Sequence, residues 1–337
     1  MRRMLILGAL ASLAMLLTRP GLAPAQTPFY QGKTITVVIG ASGGSLDVAA
    51  RILTRHLGRH IPGNPAVILQ NMPGAAHLVA TNNVYNVAKP DGLTLLAANP
   101  NIGIAQLTKV DAVRFDVRKF EWLGSAGADG VMLAIRADLP YKTWDDMKKA
   151  QTELVVGTTG PGSNSHDFPL LLSEFAGVKL KFVSGYPANA DVLLAVERKE
   201  VDLWAAFATT IKLAADRGAV RPIVRGRVPV RGYEQLPVDE ELATSPVGKA
   251  IMGIRAAPLA IGRAFAAPPG TPADRLRVLR EAFAMAVKDT ELLEEAKRAK
   301  VDFGYISPED VLKSFSSLLE QSPEVQREMM KYIKFGS

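Results

Sequence analysis

Beyond its first two dozen residues the chain alternates between short β-branched runs and longer segments whose apolar residues recur at helical spacing. Lys33-Thr-Ile-Thr-Val-Val-Ile39 has the β-branched density of a buried strand. The turn Gly40-Ala-Ser-Gly-Gly-Ser45 ends it. Leu46, Ala49, Ala50, Leu53 and Leu57 then share one helical face, with Arg51, Thr54, Arg55 and Arg59 on the other, until Ile61-Pro62-Gly63 stops the helix. Ala66–Leu69 predicts a second strand, Pro73-Gly74 a break, His77–Val87 a helix, and Asp91-Gly92 a turn into a third strand at Leu93–Leu96. Strand, helix, strand, helix, strand is the order of a parallel α/β sheet.

The order starts again at Val131-Met-Leu-Ala-Ile135. Thr143 and Asp146 have the spacing of a capping box. Leu154–Val156 reads as a strand, Gly157–His166 as a polar, Gly-rich turn, and Leu170, Leu171, Leu172 and Phe175 as apolar positions of the helix that follows. Lys181–Val183, Ala190–Arg198 and Val201–Trp204 continue as strand, helix and strand. Thr271-Pro272-Ala273-Asp274 predicts an N-cap, a proline at the first helical position and an acid in the first turn of a helix running to Lys288, with Leu276, Leu279, Phe283 and Val287 inward. From Arg221 to Pro269 the chain is rich in Pro, Gly and Arg without a clear period, and reads as connecting structure that crosses back between domains.

Length supports more than one domain, because a single core stops growing at roughly 250–300 residues and this chain has 337, of which 48% are hydrophobic. Met1–Leu17 has the form of a signal peptide: Arg2 and Arg3, then an unbroken run of apolar and small residues, then Ala23-Pro24-Ala25 as the cleavage pattern before Gln26. The run falls short of the roughly 20 residues that a membrane-spanning helix needs. The leader would take Arg2, Arg3 and Arg19 with it, so the formal charge of +7 drops by three. That excess is too mild to argue for a nucleic-acid partner. There is no cysteine, hence no disulfide, thiolate nucleophile or lipidated terminus.

The candidate chemistry lies in the two Gly-rich turns. Each stands between a strand end and a helix start, where free backbone N–H groups and the helix dipole favour an anion. Gly43 and Gly44 allow close backbone approach and Ser45 adds a hydroxyl; Thr158, Thr159, Ser163 and Ser165 do so in the second turn. Gly40-Ala-Ser42-Gly-Gly44 also has the G-x-S-x-G spacing of a nucleophile elbow. It follows the first strand, however, whereas hydrolases of that fold build several strands before theirs, and a base for Ser42 must come from His56, His60, His77 or His166. His56 and His60 are four apart on one helix, but Leu57 stands where a zinc-protease motif needs Glu, and they read as partly exposed residues of a basic face. The acids of Glu291–Lys300 alternate with Lys and read as a solvated face.

Taken together these segments resemble the periplasmic substrate-binding proteins of tripartite tricarboxylate transporters, the Bug-type receptors. The resemblance runs from about Phe29 to Val325. It is carried by Gly43-Gly44-Ser45-Leu46-Asp47, Ile61-Pro-Gly-Asn-Pro65, Gln70-Asn-Met-Pro-Gly-Ala75, Pro90-Asp91-Gly92, Gly160-Pro-Gly-Ser-Asn-Ser-His166, Gly185-Tyr186-Pro187, Leu194-Ala-Val-Glu-Arg198 with Glu200-Val-Asp202, Gly262-Arg263, and Pro268-Pro-Gly-Thr-Pro272. None is specific alone; their number and order are.

The resemblance implies a periplasmic-binding-protein-like (type II) Venus flytrap, two α/β domains joined by a hinge with the ligand cleft between them. Its division would be 1–25 leader, 26–130 with 255–337 as domain 1, and 131–254 as domain 2. The expected function is a non-enzymatic, monomeric periplasmic receptor that hands a small carboxylate to membrane permease subunits, using no cofactor and no metal. A periplasmic sensor of the same fold and a secreted serine hydrolase using Ser42 are the alternatives. The implied contact loops are Ala41, Ser42, Gly43, Gly44 and Ser45; Gly74, Ala75, Ala76 and His77; and Thr158, Thr159, Gly160, Gly162, Ser163, Ser165 and His166. Asn99, Tyr186 and Asn189 complete the set, and Asp47 is expected to fix the first loop. Three departures from the family pattern stand out. The first loop lacks prolines before Gly-Gly, Ala76-His77 replaces a Gly-Gly, and Lys199 replaces a glycine, so a different helix end is expected there. His77 is expected to titrate between about pH 5 and 8.

Overall fold

The computed structural model describes residues 27–332, so the expected leader and its cleavage before Gln26 lie outside the described residues. β1 (Thr34–Ile39), α1 (Gly44–Leu57), β2 (Ala66–Asn71), α2 (Leu78–Asn86), β3 (Thr94–Ala98), α3 (Ile102–Leu107) and β4 (Glu121–Ser125) open the first lobe. The chain then crosses to β5 (Val131–Arg136), α4 (Trp144–Lys148), β6 (Leu154–Thr158), α5 (Asn164–Phe175), β7 (Leu180–Ser184), α6 (Asn189–Glu197), β8 (Leu203–Phe207), α7 (Ala208–Asp216) and β9 (Val220–Arg225). α8 (Pro246–Ile261) leads back to β10 (Ala264–Ala267), followed by α9 (Ala273–Ala286), α10 (Thr290–Arg298), α11 (Pro308–Leu319) and α12 (Pro323–Tyr332).

The two five-stranded sheets are built alike, in the orders β2-β1-β3-β10-β4 and β7-β6-β8-β5-β9. In each, three parallel strands are followed by one antiparallel strand, β10 or β5. That strand is the one arriving directly from the other lobe. β1 explains the unbroken apolar run at its sequence: Ile35, Val37 and Ile39 pack on one face with Leu53 and Phe283, and Val38 packs on the other with Leu96, Trp122 and Phe315. A strand covered on both faces has no polar side to alternate with.

The segment 221–269 is more regular than its sequence suggests. It contains the end of β9, the whole of α8 and β10. Both breakers that hide this are tolerated, Pro222 in β9 and Pro258 in α8. α8 also lacks a single apolar stripe because it is wedged between elements of both lobes, burying Ile251, Met252, Arg255, Ala256 and Leu259. Ser245 caps it, its hydroxyl accepting from the Gly248 N–H at 3.1 Å. The Thr143–Asp146 capping box forms as expected. Thr271 does not cap α9; its hydroxyl turns back to the Pro268 carbonyl at 2.8 Å, and the helix starts one residue later than expected. Lys199 takes the left-handed conformation that glycine would, with φ 65°, so the helix end there does not differ as expected; its ammonium meets Asp138 at 3.0 Å. α12 packs against α5 and α8, with Tyr332 edge-on to Phe175.

The two crossovers between lobes lie side by side. Ala126 N–H donates to the Arg263 carbonyl at 2.9 Å, and Arg263 N–H to the Gly127 carbonyl at 3.2 Å. Gly262 is required here: it has φ 66°, and a Cβ would fall 2.2 Å from the Gly127 oxygen.

Candidate functional site

A cavity of about 800 Å³ opens between the lobes, at the carboxyl ends of β1, β3, β6, β7 and β8. This is where the helix N-termini of a parallel sheet converge.

From the first lobe come Gly40, Ala41, Ser42, Gly43 and Gly44. Gly43 and Gly44 have φ 86° and 79°, and a Cβ on either would meet nothing within 4 Å, because the space in front of them is the cavity. α1 has no side-chain cap, so its first N–H groups stay available. The loop is held from behind as expected of Asp47. Its carboxylate accepts from Arg51 Nε at 2.7 Å and Asn71 Nδ2 at 2.7 Å, and the same Asn71 nitrogen donates to the Ala41 carbonyl.

Ser45 does not line the cavity. Its hydroxyl points inward and donates to Asp129, which also accepts from Arg263 Nη2 at 2.5 Å. Arg263 in turn donates to the Asp302 carbonyl at 2.8 Å. Burial pushes the Asp129 carboxyl up while Arg263 pulls it down. Ser45 therefore ties the first turn of α1 to both crossovers.

The second loop carries Gly74, Ala76 and His77 to the cavity; Ala75 is turned away from it. Ala75, Ala76 and His77 have φ 44°, 49° and 76°, three non-glycine residues in succession in the left-handed region. Each costs roughly 1–2 kcal/mol, and such strain concentrates at binding sites. Gly40 makes room for it, since a Cβ there would lie 2.7 Å from His77 Cα. His77 Nδ1 is sealed without a hydrogen bond, and burial pulls the imidazole from 6.5 down to about 4. The titration expected between pH 5 and 8 is therefore displaced downward, toward about pH 4.

The third loop brings Thr159, Gly160, Gly162 and Ser163 to the wall. Thr158, Ser165 and His166 lie behind it. Thr158 Oγ1 accepts from Gly160 N–H at 2.8 Å, and the buried Ser165 hydroxyl accepts from Thr159 N–H at 3.0 Å and contacts Ser163 Oγ at 2.9 Å. These hydroxyls fix the loop. His166 pairs with Asp167 at 3.0 Å and packs on Phe182. Tyr186 turns its ring into the second-lobe core. Asn99 and Asn189 do line the cavity, as do Asn101, Asn164, Pro187, Ala206 and Phe207, which sequence reasoning passed over. Asn164 was within a quoted motif and is the first residue of α5; Phe207 carried no signal, being one more apolar residue at a strand end.

Among the described residues the wall contains no Lys, Arg, Asp or Glu. Its polar groups are the uncapped N-termini of α1 and α5, side-chain amides, the hydroxyls of Ser42, Thr159, Ser163 and Ser184, and the His77 imidazole. Ser42 has no histidine hydrogen-bonded to it among the described residues, so the elbow spacing is not joined by a base. His56 and His60 share no metal geometry. His56 is buried, bonding Glu295 at 2.7 Å, His60 bonds Asp289 at 2.8 Å, and Arg59 fills the space between His56, Asp289 and Glu291. Glu295 thus clamps α10 onto α1, while Glu291 and Glu294 stay exposed, as the solvated-face reading expects.

The family model described as tripartite tricarboxylate transporter family receptor matches residues 49–328. A UPF0065 protein of Agrobacterium vitis is 28% identical over 294 residues, covering 84% of this chain and 80% of the relative. The periplasmic binding protein BugD superposes with a TM-score of 0.72 at 21% identity, covering 90% of this chain and 98% of BugD. A Rhodopseudomonas palustris protein solved with adipate gives 0.71 at 20% identity, covering 90% and 98%. At those identities the structural likeness is one of fold, that of two-lobed periplasmic binding proteins. The chain belongs to the tripartite tricarboxylate transporter receptor family, a family of solute receptors and not of enzymes.

Proposed function

We propose that the protein is an exported, monomeric receptor that closes its two lobes on a small dicarboxylate and delivers it to the permease subunits of a tripartite transporter. The observation that carries this is a cavity whose wall, among the described residues, carries hydrogen-bond donors and no Lys, Arg, Asp or Glu. Helix N-termini from both lobes and the amides of Asn99, Asn164 and Asn189 converge on it, the arrangement that favours an anion. Pro187, Ala206 and Phe207 supply an apolar stretch for a short methylene chain. The adipate bound by the R. palustris protein has that form. The leader pattern supports export with cleavage before Gln26, and the paired crossovers at 126–130 and 261–263 are suited to be the hinge between domain 2, 131–254, and domain 1 on either side of it.

A thermal-shift panel of succinate, glutarate and adipate against sugars and amines tests the ligand class. A ligand at 100 times its Kd adds roughly 2.7 kcal/mol, so a rise of several degrees is expected with a diacid. A shift with sugars or amines and none with acids refutes it.

A further inference from the structure

Three of the four cavity asparagines, Asn99, Asn164 and Asn189, are held by their oxygens; Asn101 is held by its Nδ2, which donates to the Gly162 carbonyl at 3.4 Å. A primary amide offers an acceptor on one side and a donor on the other, and whatever holds one side decides which the ligand meets. Asn164 Oδ1 accepts from Arg255 Nη2 at 2.8 Å. Asn189 Oδ1 accepts from Trp204 Nε1 at 3.2 Å, and Asn99 Oδ1 from the Asn101 N–H at 2.8 Å. Guanidinium, indole and backbone N–H groups only donate, so each oxygen faces its partner and each Nδ2 is left for the cavity. Arg255 and Trp204 stand behind the wall, 2% and 0% exposed, and neither lines the cavity. Arg255 lies 4.7 Å over the Phe168 ring. Asp167 and Asp239 are near enough to offset its charge. What Arg255 gives the wall is a hydrogen-bond direction.

We infer that Arg255 and Trp204 are positioning residues that set specificity: by holding the oxygens of Asn164 and Asn189 they make both amides of the second-lobe wall present donors. A carboxylate satisfies such a wall with both oxygens. A primary amide or an amine must aim an N–H at one of the donors. The inference rests on the carboxylate reading above and names what enforces it.

Calorimetric titration of the exported protein with succinate, glutarate and adipate, and with their diamides, tests it. The wild type is expected to bind the preferred acid at least about tenfold more tightly than its diamide, as hydrogen bonds to a charged acceptor dictate. Trp204→Phe and Arg255→Met should each shrink that ratio by about tenfold, whereas Arg255→Lys, which still donates, should keep most of it. The ratio compares two ligands on one folded protein, so a loss of stability alone does not move it. Asn164→Asp serves if a buried substitution fails to fold: it places an acceptor in the wall and should weaken the acid more than the diamide. An unchanged ratio in the folded variants overturns the inference. A wild type that binds none of the three acids removes the carboxylate reading itself, and with it the inference, before any variant is made.

Discussion

His77→Asn separates one half-buried imidazole from everything else that titrates. His77 is held in left-handed backbone with Nδ1 sealed, and burial lowers its pKa from 6.5 to about 4. The folded value lies below the unfolded one, so between them the unfolded chain takes up the proton and folding loses free energy as the pH falls. Above about pH 7 the ring is neutral in both states and costs nothing. The full gap is worth about 3 kcal/mol below pH 4, of which about 2 kcal/mol is already lost at pH 5. Asp129, Asp167 and Asp239 act in the opposite sense, since burial raises all three, Asp239 to about 6; they favour the folded state as the pH falls. The raw profile therefore mixes signs, and only the difference between two proteins isolates His77. Asparagine suits the exchange because it tolerates left-handed backbone and does not titrate. Urea unfolding followed by tryptophan fluorescence at pH 8, 6.5 and 5 should show the variant gaining about 2 kcal/mol on the wild type between the first and last. Parallel profiles would refute the burial of a neutral imidazole.

Gly40→Ala places a methyl 2.7 Å from His77 Cα, so the second loop must move; a loss of about 1–3 kcal/mol in urea unfolding is expected, together with weaker binding of the acid. Gly44→Val meets no neighbour but keeps φ 79°, which costs about 1–2 kcal/mol; circular dichroism should show a folded protein whose acid-induced thermal shift has gone. Ser42→Ala should weaken binding by about 0.5–3 kcal/mol, and intact-mass measurement should find no organophosphonate adduct on the wild type. Arg263→Met leaves Asp129 buried without its cation, and should cost about 3–5 kcal/mol in urea unfolding, part of which the added change Asp129→Asn restores.

The legible parts of the chain were those with a local signal of their own, a polar helix face or a β-branched run. α1 shows its apolar stripe because Arg51, Arg55 and Arg59 face outward, and β1 announces itself by β-branching. α8 gave no such pattern, since a helix buried on several sides by two lobes has no polar face to mark its period. The contact loops were visible from glycines and hydroxyls, but not which hydroxyls face inward. Ser45 and Ser42 are three residues apart in one turn, yet Ser45 meets Asp129 from a distant crossover, a partner that local spacing cannot reveal. His56 and Glu295 misled for the same reason: each looks solvated on its own helix, and they become a part-buried pair only once α10 lies across α1. The orientation of Asn164 and Asn189 depends on Arg255 and Trp204, which lie 91 and 15 residues away along the chain.

A wall of fixed dipoles is a particular answer to holding an anion that must later be released. A lysine or arginine in the wall would carry a large desolvation cost whenever the cleft closed, recovered only through an exact partner, and breaking that pair at release would be expensive. Backbone N–H groups and oriented amides avoid this. Each contributes a modest charge-assisted hydrogen bond, and none becomes an unpaired buried charge when the ligand leaves. The requirement moves from charge to rigidity, because dipoles favour an anion only if they do not have to be reoriented on binding. The features behind the wall answer to that requirement: Asp47 and Asn71 on the first loop, left-handed backbone braced by Gly40 on the second, and the Thr158, Ser163 and Ser165 hydroxyls on the third. Charged side chains are present around the cavity, but as its framework, one step back from the wall.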